Sequence, residues 1–279
     1  MKAEGVIPMK AEDPFWDITW NPFAGCSRIT PGCLNCYAMG NVPLLIVGGA
    51  TLYEGLIDWE WGEPVWNGKM AAYPPGDWHW SIPLTYAGAR NPVMGPGRRS
   101  IILCSSMADL FHEARPPEIY DRVVETLTVS GHIGMLLNKR TAVKAKYLLA
   151  DGRWSPRMLR LMQESLWLGF SAENQYWFDR RWADMRALAE RDWFVFAVVN
   201  PMLGPVRPPD DFLAYGERTW VVNEGEDCGK HCRWMDPAWA RALRDQCLEA
   251  GIPYFFRQMA GEGPIPRDLL ICRDFPRRL

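Results

Sequence analysis

From residue 100 onward, short and almost wholly apolar runs alternate with longer amphipathic stretches. Each run is rich in branched and aromatic residues, as is typical of strands buried on both faces of a parallel sheet. The six runs are SIILCSS (100–106), HIGMLLN (132–138), LWLGFS (166–171), WFVFAVV (193–199), RTWVVN (218–223) and IPYFFRQ (252–258). With DITW (17–20) as a first strand, the pattern predicts about seven strands.

Helix signals lie between the later runs, in residues 115–131, 155–166, 174–192 and 236–251. Ser155 is a candidate N-cap with Pro156 at the first helical position, and the last stretch runs from Asp236 as cap to Gly251 as stop. Strands that alternate with helices through short connections predict a parallel sheet with right-handed crossovers. We therefore expect an α/β fold, a complete or partial β/α barrel.

The region 41–99 interrupts this alternation, because it is dense in Trp, Pro and Gly and has weak periodicity. We interpret it as an insertion after the first helix, within one domain that spans residues 1–279. It is either a lid or flap that faces the substrate, or a long surface excursion held by its tryptophans. Residues 260–279 are expected to form a C-terminal tail.

Charge and cysteine content narrow the class of protein. The net charge of −2 gives no reason to expect non-specific binding to nucleic acid. No apolar stretch reaches the roughly 18 residues of a membrane span, so we expect a cytoplasmic protein. Eight cysteines without a secretion signal favour metal or redox chemistry over a disulfide framework.

Polar side chains follow nearly every predicted strand. In parallel β/α folds, ligands bind at the carboxyl ends of the strands, so side chains at several strand ends form one site. These residues are Ser105, Ser106, Asp109, His112 and Glu113 after strand two, Asn138, Lys139 and Arg140 after strand three, Ser171, Glu173 and Asn174 after strand four, Asn200 after strand five, residues 223–227 after strand six, and Arg257 and Gln258 after strand seven.

Three cysteines, Cys26, Cys33 and Cys36, lie in one loop after the first strand. A structural zinc site normally has four protein ligands, and the only histidine or cysteine between residues 37 and 103 is His79. One interpretation is a zinc site completed by a distant ligand. The other is a [4Fe–4S] cluster in which one iron lacks a protein ligand and can bind a small molecule.

The run WNPFAGCSRITPGCLNCYA (20–38) resembles a phage-associated three-cysteine-motif family that is usually filed as a domain of unknown function. The segments CSSMADLFHE, LLNKR, WLGFSAENQ and LRDQCLEAGIPYFFRQ resemble its later motifs in the same order, so the resemblance spans most of the chain. That family in turn resembles a divergent branch of the radical SAM superfamily. The spacing here is C-x6-C-x2-C, wider than the usual C-x3-C-x2-C, and Tyr37 keeps the aromatic residue after the last cysteine.

The resemblance implies a [4Fe–4S] cluster on the three cysteines, S-adenosylmethionine (SAM) on its open iron, and an external one-electron donor. Reductive cleavage of SAM would give methionine and a 5′-deoxyadenosyl radical, which abstracts hydrogen from a substrate. The resemblance assigns Ser105, Ser106 and Asp109 to the methionyl amino group, Lys139 or Arg140 to its carboxylate, and Ser171, Glu173 and Asn174 to the ribose.

The loops after strands five and six depart from the family pattern. The family commonly has an acidic residue and proline after strand five and a GGE-like turn after strand six. Here the residues are Asn200, Glu224 and Glu226, which we expect to contact a different substrate. The phage association and the tryptophans favour a nucleobase, nucleoside or nucleic acid, which would be modified or repaired. A base could stack on Trp61, Trp66, Trp78 or Trp80.

Two alternatives remain open from the sequence. One is a zinc-stabilised binding module, and the other is an iron–sulfur enzyme that transfers electrons without SAM. The pair Cys228 and Cys232 is interpreted as ordinary free thiols rather than as an auxiliary cluster completed by Cys272. Cys104 and Cys247 are expected in the core.

Overall fold

The predicted parallel sheet is present in the structure, a computed structural model that describes residues 15–86, 99–227, 231–261 and 263–277. The strands are β1 (Ile18–Trp20), β2 (Phe23–Ala24), β3 (Ile57–Glu60), β4 (Glu63–Trp66), β5 (Ala71–Ala72), β6 (Ile101–Cys104), β7 (Ile133–Asn138), β8 (Leu166–Ala172), β9 (Phe194–Val199), β10 (Thr219–Asn223) and β11 (Tyr254–Phe256). One seven-stranded sheet has the order β1-β6-β7-β8-β9-β10-β11, with every neighbouring pair parallel. Each apolar run of the sequence therefore contains one of these strands.

The sheet curls until its two edges approach each other. In a flat sheet of seven strands the outer strands would be about 29 Å apart, because neighbouring strands are about 4.8 Å apart. Phe15 precedes β1 by three residues, yet its ring centroid lies 5.6 Å from that of Trp220 in β10 and 5.9 Å from that of Phe255 in β11. The edge strands β1 and β11, both described, are not paired with each other. The fold is thus the partial form of the predicted β/α barrel.

The helices of the described residues include all four that the sequence predicts. They are α1 (Tyr37–Val47), α2 (Ile82–Thr85), α3 (Pro117–Val129), α4 (Thr141–Leu148), α5 (Pro156–Ser165), α6 (Gln175–Ala189), α7 (Asp210–Leu213), α8 (Pro237–Glu249) and α9 (Arg267–Leu270). Ser155 caps α5 by accepting from the Met158 N–H, and Asp236 caps α8. The sequence analysis missed α4, whose N-cap position is Arg140 without a side-chain cap. Among the described residues, no helix has the length and apolarity that crossing a membrane requires.

Apolar side chains fill the interior of the barrel along its strands. The buried members of this inner cluster are Phe15, Ile101, Leu103, Ile133, Met135, Trp167, Phe194, Phe196, Val198, Trp220, Val222 and Phe255. Phe275, within the expected tail 260–279, packs on the same cluster with its ring centroid 5.4 Å from that of Trp220. A larger cluster on the other face, which includes Leu136 and Leu168, packs the strands against the helices. Among the described residues, a cavity opens at the C-terminal end of the barrel.

The expected insertion, residues 41–99, begins inside α1, which continues to Val47. It then forms the antiparallel hairpin β3–β4, and β5 pairs with β2. A third apolar cluster, with Val42 and Val65 among its members, packs this region beside the loop that carries the cysteines. Residues 87–98 lie outside the described residues, and the role of the region as a lid stays a prediction.

The inner packing gives a test of the curled sheet. Gly169 of β8 is paired with Phe196 of β9, and a Cβ atom added to Gly169 would lie 2.3 Å from the Phe196 ring. The Gly169→Ala substitution should lower the free energy of unfolding by roughly 1–3 kcal/mol, because the ring has no free space to enter. Adding Phe196→Leu should recover part of this loss. Equal urea-denaturation midpoints for Gly169→Ala and the unchanged protein would contradict this packing.

Candidate functional site

A cavity of about 380 Å3 opens at the C-terminal ends of the strands. This volume falls within the roughly 300–1,000 Å3 of typical small-molecule sites. Of the residues predicted to hold a cluster, SAM or a substrate, all except Glu173 and Asn174 line it: Cys26, Cys33, Cys36, Tyr37, Ser105, Ser106, Asp109, Lys139, Arg140, Ser171, Asn200, Glu224 and Glu226. Four other polar residues of the strand ends do not line it: His112, Glu113, Asn223 and Gln258. The strand ends therefore meet at one place, as the parallel arrangement requires.

The three cysteines reach the cavity from one loop. Cys26 follows β2, Cys33 ends the short 3-10 turn Pro31–Cys33, and Cys36 occupies the N-cap position of α1. All three side chains are partly buried. Within the described ranges, no three His, Cys, Asp or Glu side chains are placed to hold one metal ion together. Ligands of one zinc ion must all lie about 2.3 Å from the same point, whereas the cysteines of a [4Fe–4S] cluster bind different irons and lie farther apart. Three thiols of one loop are ligands that a [4Fe–4S] cluster can use.

The surroundings of the thiols differ from one cysteine to the next. Burial and the neighbouring Asp109 raise the pKa of Cys26 to about 12, although Arg140 acts in the opposite direction. Burial also raises the pKa of Cys36, again against the effect of Lys139. For Cys33, burial is outweighed by Lys139 and by hydrogen bonds, so its pKa is lowered. The surroundings thus favour a thiolate at Cys33, whereas burial favours the protonated thiol at Cys26 and Cys36.

Arg140 ties the Cys26 end of the loop to the sheet. Its Nε donates to Glu113 Oε2 at 2.7 Å, its Nη1 to Asp109 Oδ2 at 3.1 Å, and its Nη2 to Ser27 Oγ at 2.6 Å. Its Nη1 also lies 3.8 Å from Cys26 Sγ. All three nitrogens of this guanidinium are therefore engaged, and Asp109 is engaged with them. The guanidinium cannot bind a ligand unless these bonds break, whereas the Asp109 carboxylate keeps lone pairs that can accept a further hydrogen bond.

His112 supports the same end of the loop. Its Nδ1 accepts a hydrogen bond from the Ala114 N–H at 3.1 Å, so its proton lies on Nε2, which donates to Ser27 Oγ at 2.9 Å. Burial, with Arg140 nearby, lowers the pKa of His112 and keeps the ring neutral. Ser27 is thus held by two donors from residues far away in the sequence.

Lys139 differs from its neighbour Arg140. It lies on the inner face, two residues after Leu137, and lines the cavity. Within the described part of the chain, no hydrogen bond or ion pair of its ammonium group occurs, while its charge acts on Cys33, Cys36 and Glu173. Of the two cations that the resemblance offers for a carboxylate, Lys139 is the one with a free group.

Hydrogen bonds at the rim of the cavity involve Ser105, Ser106 and Tyr37. Ser105 has a left-handed backbone (φ 64°), and its hydroxyl donates to the Cys104 carbonyl at 2.7 Å. Tyr37 donates from its hydroxyl to the Ser106 carbonyl at 2.8 Å. Ser106 Oγ lies 3.2 Å from Asn21 Nδ2. These contacts fasten α1 to the end of β6.

Glu173 and Asn174 lie behind the cavity wall instead of facing it. Asn174 caps α6 by accepting from the Trp177 N–H at 3.2 Å. Glu173 is fully buried and accepts from Arg181 Nη1 at 2.8 Å and from the Gly32 N–H at 3.3 Å. The contact with Gly32 brings the end of β8 next to the cysteine loop. Arg181 was missed, because its spacing on α6 marks it only as a helical residue.

Charged pairs form the other side of the cavity. Arg257 Nη1 donates to Glu224 Oε2, and its guanidinium lies 5.4 Å from the centre of the Trp16 ring. Asn200 also lines the cavity, directly after β9, which neighbours β10 in the sheet. Arg257, one of the strand-end residues predicted from the sequence, follows Phe255 by two residues and so lies on the inner face. Trp16 precedes the first strand and carried no such signal.

A second group of hydrogen bonds, centred on Glu226 and Arg233, holds the middle of the cysteine loop. Glu226 accepts from Arg233 through its backbone N–H at 2.9 Å and through its guanidinium, and from Asn35 Nδ2 at 3.0 Å. Arg233 Nη1 also donates to the Pro31 carbonyl at 2.9 Å. Glu226 thus acts on the loop through two partners, of which Arg233 was missed from the sequence.

The remaining cysteines and tryptophans divide into buried and accessible groups. Cys104 and Cys247 are in the core, as predicted. Cys232 is disulfide-bonded, so the expected free thiol is wrong for this residue, and Cys228 lies outside the described residues. Trp66 and Trp80 are buried, although Trp66 lines the cavity, whereas Trp61 and Trp78 are exposed, and stacking on a base stays a prediction.

The Arg140 contacts give a prediction about Cys26. In Arg140→Lys the positive charge stays, but one ammonium group cannot bridge Glu113, Asp109 and Ser27. We expect the loop around Cys26 to open more often, because losing a hydrogen bond to a charged group costs about 1.5–3 kcal/mol. Cys26 in the metal-free protein should then be more exposed and react with iodoacetamide about tenfold faster. Peptide mass spectrometry gives the rate at each cysteine, and Arg186→Lys on the exposed side of α6 is the control. An unchanged rate of Cys26 alkylation would contradict the role of the Arg140 hydrogen bonds in holding this end of the loop.

Comparison with known proteins gives one family match. Residues 11–266 match the model of a family described as a protein of unknown function (DUF5131). No curated protein matches the chain. Among solved structures, a mutant spore photoproduct lyase is similar with 14% sequence identity and a TM-score of 0.47, which is too low to establish a shared fold. The similarity covers 88% of this chain and 64% of that chain. Because the family model matches nearly the whole sequence, the chain belongs to the DUF5131 family.

Proposed function

We propose that this protein is a radical SAM enzyme in which Cys26, Cys33 and Cys36 hold a [4Fe–4S] cluster. The observation that carries the proposal is the open side of the site. Three thiols of one loop, without a fourth local ligand, face a cavity at the C-terminal end of a partial β/α barrel. A cluster bound there keeps one iron free toward a cavity of small-molecule size.

When bound, the cofactors would supply the difficult chemistry, the reductive cleavage of the SAM sulfonium with one electron from an external donor. The chain's own residues bind, orient and exclude water. Lys139 pairs with the methionyl carboxylate, because its ammonium is free and reaches the cavity. Ser105 and Ser106 lie where the amino group is expected, with Asp109 held beside them by Arg140.

The nucleoside part of SAM is proposed to lie toward β8. Ser171 lines the cavity there, on the inner face and two residues after Gly169. Asn174 is engaged as a helix cap and Glu173 with Arg181 and Gly32, so of the three residues assigned to the ribose only Ser171 faces the cavity. Tyr37 would lie at the rim beside the last cysteine.

The proposed substrate is a nucleobase, nucleoside or nucleic acid, from which hydrogen is abstracted during modification or repair. Support comes from the resemblance to a phage-associated family and from the exposed indoles of Trp61 and Trp78, since stacking accepts any base. Asn200, Glu224 and Glu226 would contact the substrate on the side of the cavity away from β6 and β7. Glu224 and Glu226 would do so while paired with arginines, which reduces the cost of their burial.

The first test is direct. The protein is reconstituted with iron and sulfide without oxygen, incubated with SAM and dithionite, and analysed for 5′-deoxyadenosine. A brown protein that produces it supports the proposal. A colourless protein that retains zinc would indicate the zinc-stabilised binding module. A brown protein that leaves SAM intact would indicate an iron–sulfur enzyme without SAM.

Replacing single cysteines tests the cluster ligands. Cys33→Ala should lose most of the iron and form no 5′-deoxyadenosine, whereas the unchanged protein should hold about four irons per chain. Cys247→Ala, in the core and away from the cavity, is the control and should keep its iron. Full iron content and activity in Cys33→Ala would show the ligand assignment to be wrong.

Lys139 is tested by its effect on SAM. We expect Lys139→Met to bind SAM roughly ten- to hundredfold more weakly, because a hydrogen bond to a charged group contributes about 1.5–3 kcal/mol. Equilibrium dialysis measures the affinity, with iron content determined on the same samples. Lys146→Met, on the exposed face of α4, should bind SAM as the unchanged protein does. The same affinity in both variants would exclude the carboxylate contact.

A further inference from the structure

A buried carboxylate, that of Glu173, lies directly behind the cysteine loop. Glu173 is fully buried and its partner Arg181 is 1% exposed, with Nη1 of Arg181 2.8 Å from Glu173 Oε2. Taking both charges out of water is costly, and an apolar pair of similar size often stabilises a fold as well or better. The pair therefore calls for a role beyond general stability.

Two groups of the loop bond to this carboxylate. The Gly32 N–H donates to Glu173 Oε1 at 3.3 Å, and the Thr30 side chain also forms a hydrogen bond with Glu173. Thr30 Oγ1 lies 3.6 Å from Cys33 Sγ. The Thr30 hydroxyl carries one proton, which it can donate either to the Glu173 carboxylate or to the Cys33 sulfur. Thr30 thus lies between Cys33 and Glu173 and contacts both.

Arg181 fixes the carboxylate to the barrel. From α6, its Nη1 donates to the Ser171 carbonyl at 2.6 Å and its Nε to the Lys139 carbonyl at 3.2 Å. The backbone of Glu173 is held as well, since its carbonyl accepts from the Leu203 N–H at 2.8 Å. The position of the carboxylate is therefore set by the ends of β7 and β8 and by α6.

Gly32 allows the loop to come this close. A Cβ atom at residue 32 would lie 3.1 Å from Glu173 Cδ and 3.2 Å from Oε1. These distances are shorter than ordinary van der Waals contact, so an added methyl group would push the turn Pro31–Cys33 away from Glu173. The turn and the carboxylate are packed against each other as well as hydrogen-bonded.

We propose that Glu173 is a positioning residue that sets the place of Cys33 relative to Cys26 and Cys36 before any metal binds. It would act through the Gly32 N–H and the Thr30 hydroxyl, while Arg181 holds the Glu173 carboxylate in place. This role differs from the ribose contact predicted from the sequence. It concerns the loop itself and does not depend on which group the cysteines hold.

Two variants of the full-length protein test the proposal. In Glu173→Gln the amide has one acceptor oxygen where the carboxylate serves donors from Gly32, Thr30 and Arg181. In Gly32→Ala the ion pair stays and only the approach of the turn is blocked. The matched control is Asp211→Asn, since Asp211 also pairs with an arginine of α6, Arg186, but 44% of its side chain is exposed.

Three quantities are measured: hydrogen exchange of residues 30–36 in chelator-treated protein, the rate at which bathophenanthroline removes iron after reconstitution, and the melting temperature. We expect exchange and iron release to become about tenfold faster in Glu173→Gln and in Gly32→Ala, the lower end of the usual effect of groups that orient metal ligands. Asp211→Asn should change neither. The melting temperature should fall less in Gly32→Ala than in Glu173→Gln, because the buried pair is intact.

A lower melting temperature in Glu173→Gln, with unchanged exchange and iron release in both variants, would overturn the proposal and leave Glu173 a purely structural residue. The test also separates this inference from the proposed function. If the unchanged protein takes up no iron, the cluster assignment fails, and hydrogen exchange in residues 30–36 still decides the role of Glu173.

Discussion

Successive side chains of a strand point to opposite faces of the sheet, and this strict alternation decides where the chemistry of the protein lies. On β7 the inner face continues from Leu137 to Lys139. The same phase brings Ser171, Glu224 and Arg257 to the inner face at the ends of three other strands. A shift of one residue in any strand would turn its polar end toward the helices. Because the strands are parallel and the sheet curls, these ends surround one cavity.

The cysteine loop depends on that arrangement for its shape. It has little secondary structure of its own, and fixing each residue of such a segment costs about 1–2 kcal/mol of backbone entropy. Three arginine-centred clusters hold it: Arg140 through Ser27, Arg181 through Glu173, and Arg233 at the Pro31 carbonyl. Hydrogen bonds to charged groups are among the stronger ones in proteins, and here they come from separate elements. The thiols are thereby oriented toward the cavity by the fold.

Much of this could be predicted from the sequence because its signals are local. Apolar runs of strand length, and caps such as Ser155 and Asp236, indicated the strands and four of the helices, and their alternation indicated a parallel sheet. The positions of polar residues after the strands followed from the same pattern. The helix α4 escaped notice, since Thr141–Leu148 is short and begins without a side-chain cap.

The sequence by itself thus determined the order of strands and helices along the chain, the loop with three cysteines and the polar edge where the strand ends meet. Only the tertiary structure decided which polar groups are free and which are occupied. Arg140 is engaged because Ser27, more than a hundred residues away, comes back to meet it, whereas the Lys139 ammonium has no hydrogen bond or ion pair among the described residues. Glu173 is buried because Gly32 packs on it. Hydrogen-bond partners of this kind are set by how distant segments pack together, and no local pattern of residues encodes them.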